Sequence, residues 1–345
     1  MSKVSLGLIK SRMEVAEQRR QQFERKEKQP GRLQRHESWR HAYLSRPYLI
    51  GASDERVAER FRNIFFNVCE IGEDGRLCPV PVDKNDEFIQ GFTHMLEEYG
   101  LRTGDMPPAS VVQTARQPLS KYFLHGKPAG YRMFEGYQRP ETPMLVKYGK
   151  REFLEPMLAT GRLRLANAKS YNDLNLIDAI RDDETSRTLF VPTYLDRLEG
   201  KTHIEVQQVR IPIEDDDLEV PLVFEDYYLF SLCEHIHHRM PTDFGADAAL
   251  VIRDPALFKQ RLISTFLNRF SDWVVMEGAV SYYDTYQPAQ DYTKFKVPEM
   301  TKHFGYAYQK EVRVAFRSRR PIKISLEPLF LSIGSMSDYA DLVHL

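Results

Sequence analysis

Cysteine is scarce in this chain of 345 residues, which has only Cys69, Cys78 and Cys233. Three scattered thiols are too few for a disulfide framework or for a zinc site made of four thiolates. No apolar run approaches the roughly 18 residues that mark a membrane-spanning helix. The N-terminal sequence turns polar and charged almost at once, so we expect neither a membrane span nor a secretory signal peptide. Together these absences favour a cytoplasmic protein.

The sequence also lacks the short motifs that mark the commonest catalytic sites. It has no G-x-G-x-x-G or G-x-x-x-x-G-K loop for phosphates, no G-x-S-x-G turn for a nucleophilic serine and no H-E-x-x-H pair for zinc. These absences argue against dinucleotide-fold dehydrogenases, P-loop nucleotide hydrolases and serine esterases.

Charge of one sign is not in excess, because the formal net charge is −1, but the two signs are unevenly distributed. Residues 1–45 carry 11 Lys and Arg against 5 Glu, a net charge of +6, which leaves −7 on residues 46–345. The stretch Ser11–Glu27 has no Gly or Pro and predicts a helix with a thin apolar stripe, ended by Pro30-Gly31. This basic helical arm is either simply solvated or contacts nucleic acid or an acidic protein partner.

Residues 46–143 predict a region of helices and irregular chain. Apolar residues recur at three- and four-residue steps over Glu55–Val68 and again over Asp86–Tyr99, where we expect Gly100 to stop the helix. A turn-rich connection from Glu70 to Lys84 joins the two helices. The remainder is rich in Pro and Gly and is expected to be irregular. An aromatic group in this remainder either packs as the core of a loop or stacks nucleic-acid bases: Tyr131, Phe134 and Tyr137.

The pattern changes after Pro143, and residues 144–345 predict an α+β domain because strands outnumber helices and few strand–helix–strand units recur. Ser170–Asp173 has the composition of a turn. The predicted helices are Arg151–Thr160, closed by Gly161, and Pro255–Phe270. The predicted strands are Met144–Tyr148, Arg162–Ala166, Ile204–Ile211, Tyr227–Leu232, Ala248–Ile252, Val274–Tyr282, Glu311–Phe316 and Pro321–Ile324.

The densest group of ionisable residues is Cys233-Glu234-His235-Ile236-His237-His238-Arg239. If the preceding strand continues, His235 and His237 share one of its faces, because side chains alternate along a strand. Such a pair holds a transition metal when Cys233 or Asp243 supplies a third ligand. One of the histidines is alternatively a general acid or base, or the group is simply a polar strand end.

A second suggestive element is the strand Lys310-Glu311-Val312-Arg313-Val314. Alternation places Glu311 and Arg313 on one face and the two valines on the other. Glu311 is then either a surface carboxylate on an ordinary amphipathic strand or a carboxylate in a cleft. In a cleft it can orient a ribose hydroxyl and stabilise an oxocarbenium-like transition state.

Residues 144–325 resemble a bacterial family of unknown function whose members carry an F-N-D-P element, a C-F-S strand and a late E-x-R strand. The resemblance rests on the order of K-Y, R-L-R-L, S-Y-N-D, Y-L-F-S-L-C, D-F-G-A-D-A-A-L-V-I and Q-K-E-V-R-V. The family is similar in layout to the ADP-ribosyltransferase fold, a split β-sheet that binds NAD in a central cleft. This chain departs from the pattern at Leu174, where the family has proline, and lacks a tryptophan after the C-F-S strand.

The resemblance implies a helical N-terminal region packed on a bent, split β-sheet, with NAD as a substrate and no metal. It implies catalytic roles for Glu311 and Tyr171, and we add His235 as a candidate acid or base. The implied NAD-binding residues are Lys147, Tyr148, Arg162, Arg164, Asn172 and Arg313, with the arginines suited to the pyrophosphate because a guanidinium forks onto two oxygens.

The sequence thus predicts an NAD-dependent ADP-ribosyltransferase-like enzyme whose acceptor is a nucleic acid or a protein. A toxic or phage-defence role suits a bacterial protein of this resemblance. Two other classes stay open: a non-catalytic regulatory protein that binds nucleic acid or protein through the basic arm, and a nuclease or other hydrolase that uses the histidines.

Overall fold

Helices dominate the first 134 residues, and the strands of the main sheet follow. A computed structural model describes residues 4–28, 33–81, 86–104, 106–141, 143–206, 209–213, 217–286, 297–322 and 325–345. Its helices are α1 (Leu6–Glu27), α2 (Arg35–Ser45), α3 (Asp54–Asn67), α4 (Asp86–Thr103), α5 (Ala109–Arg116), α6 (Ala129–Met133), α7 (Arg151–Thr160), α8 (Tyr194–Leu198), α9 (Met240–Asp243) and α10 (Pro255–Arg269). Its strands are β1 (Cys69–Ile71), β2 (Leu77–Pro79), β3 (Leu145–Gly149), β4 (Arg162–Asn167), β5 (Ser186–Pro192), β6 (His203–Val206), β7 (Val209–Pro212), β8 (Asp217–Val223), β9 (Tyr228–Cys233), β10 (Ala248–Ile252), β11 (Trp273–Ala279), β12 (Ser281–Tyr283), β13 (Thr301–His303), β14 (Glu311–Ser318), β15 (Leu329–Ser332) and β16 (Ala340–His344). The predicted α+β class is therefore confirmed.

The basic N-terminal segment forms the predicted helix, α1, but that helix is not a solvated arm. Ile9 and Ala16 are buried in a core that α1 shares with α2, α3 and α4. The guanidinium of Arg12 is also buried and donates a hydrogen bond to the Ile50 carbonyl over 3.1 Å. Because these side chains attach α1 to the core of the helical region, its exposed basic residues form part of the surface of that region. The predicted stop at Pro30-Gly31 lies outside the described residues.

Helices α3 and α4 occur where the sequence predicts them, but the expected stop at Gly100 is wrong. Helix α4 continues through Gly100 to Thr103. A Cβ at position 100 would lie 2.3 Å from Arg19 Nη1, and Arg19 forms an ion pair with Glu97 over 2.9 Å. The glycine therefore allows α1 and α4 to approach closely, and it does not end the helix.

The expectation of an irregular chain over residues 101–143 is also wrong, because α5, α6 and the 3₁₀ helix Gln117–Phe123 form there. Helices α5 and α6 begin directly after Pro108 and Pro128, where a missing N–H costs no helical hydrogen bond. Two members of the aromatic group pack as core, because Phe134 is buried against Tyr148 and Tyr137. The turn-rich connection before α4 contains the hairpin β1–β2.

Most predicted elements after Pro143 lie within two residues of their observed bounds: α7, α10, β3, β4, β9, β10 and β14. The predicted turn is a 3₁₀ helix at Ala168–Asn172. The strand predicted over Val274–Tyr282 divides into β11 and β12, and the one over Ile204–Ile211 is the hairpin β6–β7, whose residues 207–208 lie outside the described part. Of the strand predicted over Pro321–Ile324, residues 321–322 are irregular and the other two lie outside the described residues.

The main sheet is antiparallel in every described pairing, with the order β11-β14-β9-β3-β10-β16 and with β4 and β15 branching from β9. Strand β14 pairs along the whole of one edge of β9. The opposite edge of β9 is shared, because β3 pairs only at Cys233 and β4 only at Tyr228 and Leu229. The sheet therefore splits beside Phe230–Leu232. We call this gap the split.

The larger core lies on one face of the sheet, where α7 and α10 pack against it. Val312, Val314 and Phe316 of β14 point into this core together with Phe230 of β9. Alternation sends Glu311, Arg313 and Ala315 to the other face. No helix in the described part of the chain is both long and apolar enough to span a membrane.

Replacing Gly161 with alanine should destabilise the protein more than the same change at Gly104. Both glycines have a positive φ, 67° and 80°, so backbone strain destabilises each alanine variant by about 1–2 kcal/mol. At position 161 the new Cβ would also lie 2.1 Å from the Gly334 carbonyl oxygen, whereas at position 104 no described atom beyond the chain neighbours lies within 4 Å. Melting curves of the two variants measure this difference, and equal losses would contradict the close approach of Gly334.

Candidate functional site

Glu311 is the first residue of β14 and lies beside the split. It stands opposite Cys233 in the register with β9, and Arg313 stands opposite Ser231. Glu311 and Arg313 share a face of the strand, which confirms the prediction from alternation. The interpretation of Glu311 as a surface carboxylate is wrong, because the residue is only 5% exposed.

Three side chains donate hydrogen bonds to the Glu311 carboxylate. Ser231 Oγ lies 2.5 Å from Oε1, which also accepts from Arg313 Nε. Lys302 Nζ donates to Oε2 over 3.0 Å. A carboxylate offers about four acceptor positions, so one position on Oε2 has no donor among the residues that the structure describes. The backbone N–H of Glu311 donates to Tyr282 Oη over 2.9 Å, which fixes the start of the strand.

A second buried carboxylate, Glu184, holds Arg313 from its other side. Arg313 Nη1 and Nη2 both donate to Glu184, with Nη1 2.9 Å from Oε2. Arg187 Nη2 and Tyr227 Oη donate to the same oxygen, each over 3.0 Å. Arg313 is fully buried. Its guanidinium therefore bridges two carboxylates and fixes the position of Glu311.

The charges of this cluster keep both carboxylates ionised. Burial alone would raise the pKa of Glu311, but the positive charges of Arg313 and Lys302 and the hydrogen bonds outweigh it, so the pKa lies far below its ordinary value. Burial also opposes ionisation of Glu184, and the charges of Arg313 and Arg187 again lower its pKa. Glu311 and Glu184 therefore both carry a negative charge at neutral pH, each paired with buried cations.

Asp182 behaves differently from the other two carboxylates. Its backbone N–H donates to the Tyr171 carbonyl over 3.1 Å, and its Oδ2 is buried and has no hydrogen-bond partner among the described residues. Burial, together with the negative charge of Glu184, raises the pKa of Asp182 to about 6, although Lys302 opposes the shift. Asp182 therefore titrates near neutrality beside a carboxylate that does not.

Lys147 and Tyr171 lie close to Glu311, and the charge of Arg164 acts on both of them. Lys147 Nζ donates to the Ser231 carbonyl over 2.8 Å, on the edge of β9 that faces the split. Burial lowers the pKa of Lys147, and the charges of both Glu311 and Arg164 act on it. Burial also raises the pKa of Tyr171 to about 12, with a further rise from the charge of Glu311. Two predicted site residues, Lys147 and Tyr171, are thus near the carboxylate that the prediction centres on, and Arg164 is near those two.

Four other predicted site residues lie apart from Glu311. Tyr148 points to the opposite face of β3 from Lys147, where its hydroxyl bonds the backbone of His237. Arg162 is exposed and lies over the Phe330 ring. Asn172 is exposed and donates to Asp183, and His235 is exposed after the end of β9.

The histidines after β9 do not gather the ligands of a metal site. Strand β9 ends at Cys233, yet the ring centroids of His235 and His237 lie 3.9 Å apart, tilted by 40°, because the chain after the strand brings the rings together. The proposed third ligand Asp243 accepts instead from Tyr122 Oη, over 2.7 Å. Within the described residues, no group of three or more His, Cys, Asp or Glu side chains could hold a metal ion.

Sequence reasoning missed Ser231, Lys302 and Glu184 as parts of the site. Ser231 could have been recognised from the sequence, because alternation along Y-L-F-S-L-C places this polar residue between Leu229 and Cys233 on an otherwise apolar face. Lys302 and Glu184 stand in polar segments, Glu184 far from Glu311 along the chain and Lys302 nine residues before it, and no local pattern distinguishes them.

Helix α3 holds the segment that carries Lys302. Arg60 is buried and donates twice to Asp284, with Nη1 2.6 Å from Oδ1. Asn67 Nδ2 donates to the Phe304 carbonyl over 3.0 Å. These bonds connect the helical region to both sides of the segment that supplies Lys302 to Glu311.

Neither a protein-family model, nor a curated protein, nor a solved structure matches this chain. The resemblance of residues 144–325 to the ADP-ribosyltransferase layout therefore stays a prediction, and the case for a function rests on the geometry of the site.

Asp182→Asn should change how stability depends on pH. A folded pKa of about 6 against an ordinary 3.8 means that the native state binds the extra proton between these values, so the contribution of Asp182 to stability falls as pH rises from about 4 to 7. The variant lacks this dependence on pH. The melting temperature of the variant minus that of the wild type should therefore increase from pH 4.5 to pH 8. A constant difference across this range would contradict the raised pKa.

Proposed function

We propose that this protein cleaves NAD at its nicotinamide–ribose bond and transfers ADP-ribose to an acceptor, with Glu311 as the essential carboxylate. The observation that supports this most is the ionised carboxylate of Glu311, buried beside the split of an antiparallel sheet with one acceptor position of Oε2 unused.

A fixed carboxylate fits this chemistry because the reaction develops positive charge. When the bond between ribose C1′ and the nicotinamide nitrogen breaks, its electron pair leaves with nicotinamide, which becomes neutral. The ribose becomes oxocarbenium-like, and a nearby negative charge stabilises it. An acceptor nucleophile then bonds to C1′ and releases its proton. In this proposal the unused position on Oε2 accepts a ribose hydroxyl, and Arg313 and Ser231 hold the carboxylate in place.

The cations near the split suit the other end of NAD. Arg164 is exposed, and its charge acts on both Lys147 and Tyr171. A guanidinium pairs with two phosphate oxygens at once, so we assign the pyrophosphate to Arg164. Tyr171 packs against the apolar cluster that contains Ala315, on the face of β14 that carries Glu311. In this proposal its ring contacts the nicotinamide.

Glu311→Gln should abolish most NAD turnover, by a factor on the order of 100 to 1,000, because the amide keeps the shape and removes the charge. The substitution also removes a partner of Arg313 and Lys302, so a loss of stability is expected as well. Label transfer from radiolabelled NAD, expressed per folded molecule from melting curves, measures the effect.

Glu299→Gln is the matched control. Glu299 is also buried and pairs through Oε1 with an arginine of β14, Arg317, over 2.8 Å, and in the described part of the chain no hydrogen bond or ion pair joins its side chain to Glu311. The control should lose stability and keep the wild-type turnover. Equal turnover in the Glu311→Gln variant and the wild type, or an absence of NAD binding by the wild type, would overturn the proposal.

Arg164→Ala should weaken NAD binding about tenfold or more without lowering the melting temperature of the free protein. A charge-assisted hydrogen bond contributes roughly 1.5–3 kcal/mol, and Arg164 is exposed. NAD at 100 times its Kd should stabilise the wild type by about 2.7 kcal/mol, so thermal shifts over a series of NAD concentrations give both affinities. Arg253→Ala, at another partly exposed arginine that pairs with Asp341, should match the wild type. An unchanged Kd for Arg164→Ala would contradict the assignment of the pyrophosphate.

A further inference from the structure

We propose that the surface around α5 binds an acidic peptide segment of a partner protein, which inserts apolar side chains into a groove there. The groove is formed by α5, the 3₁₀ helix Gln117–Phe123 and β2, and has a volume of about 900 Å³. We call it the α5 groove. This inference does not depend on NAD chemistry.

The lining of the α5 groove is apolar along one side. Leu77, Val112 and Leu119 contribute aliphatic carbon, and Phe123 contributes the only aromatic ring among the described lining residues. Phe123 is 40% exposed, and the next residue, Leu124, is 70% exposed. Neighbouring exposed apolar side chains of this size mark interaction sites more often than isolated ones do.

The segment that forms most of the groove carries charge of one sign. Between Asp105 and Glu135 the sequence has four Lys and Arg and no acidic residue, although the whole chain contains 49 Asp and Glu in 345 residues. Arg116 lines the groove, is exposed, and forms no ion pair with any residue that the structure describes. A partner that carries carboxylates beside its apolar side chains complements this surface.

The lining favours a peptide over a nucleic acid. Sequence-tolerant binding of single strands uses several aromatic side chains on which successive bases stack, and the described lining offers one ring. Aliphatic side chains in a groove instead receive the apolar face of an amphipathic helix, with anchors at three- and four-residue steps. Arg116 at the rim then pairs with carboxylates on the polar face of that helix.

The test is selection of 16-residue peptides from a random display library on the full-length protein. The selected sequences should combine Asp and Glu with Leu, Phe or Met at helical spacing. For one such peptide, fluorescence anisotropy should show Kd about tenfold weaker for Arg116→Glu, which corresponds to about 1.4 kcal/mol, and also weaker for Phe123→Ser. Arg320→Glu, at an arginine whose side chain is 84% exposed on another part of the surface, should bind as the wild type does.

Three results would overturn the proposal: selected peptides that are basic or show no acidic enrichment, equal affinity of Arg116→Glu and the wild type, or stronger binding of a 20-residue thymidine oligonucleotide that depends on Arg116. The last result would assign the surface to a nucleic acid. Both groove substitutions lie at exposed positions, and unchanged melting curves confirm that each variant is folded.

Discussion

The guanidinium of Arg313 is the interaction on which the site depends. It is fully buried and bonds Glu311 of the same strand on one side and Glu184 on the other, so two parts of the chain that are distant in sequence meet at one cation. Burying these charges is costly, and removing one partner of such a pair leaves an uncompensated charge, at a cost of roughly 3–5 kcal/mol. The cluster therefore fixes the positions of its charged side chains more than it adds net stability. In particular, it holds an ionised carboxylate at a defined place beside the split.

The helical region supports this arrangement from outside the sheet. Arg60 and Asn67 of α3 hold the chain at Asp284 and at Phe304, on the two sides of Lys302. Contacts from α3, which neither β9 nor β14 provides, thus help to fix Lys302 on Glu311. The proposed site consequently belongs to the whole chain, since the sheet supplies the carboxylate and the helices help to place one of its three hydrogen-bond donors.

The sequence predicted features that depend on neighbouring residues. Alternation along β14 placed Glu311 beside Arg313, and the left-handed turn at Gly161 ended α7 as expected. Prediction failed where distant contacts decide the outcome. Gly100 has the composition of a helix stop, but the guanidinium of Arg19 occupies the space of its missing side chain and the helix continues. The role of Glu184 was unpredictable for the same reason, because nothing near it in the sequence indicates Arg313.

A crystal structure of the Glu311→Gln variant with NAD tests the central claim most directly, because the amide keeps the shape of the site and slows turnover. The account predicts NAD at the split, with its pyrophosphate on Arg164 and a ribose hydroxyl within hydrogen-bond distance of the side chain at position 311. NAD bound elsewhere on the protein, or crystals that bind none at millimolar concentration, would contradict it.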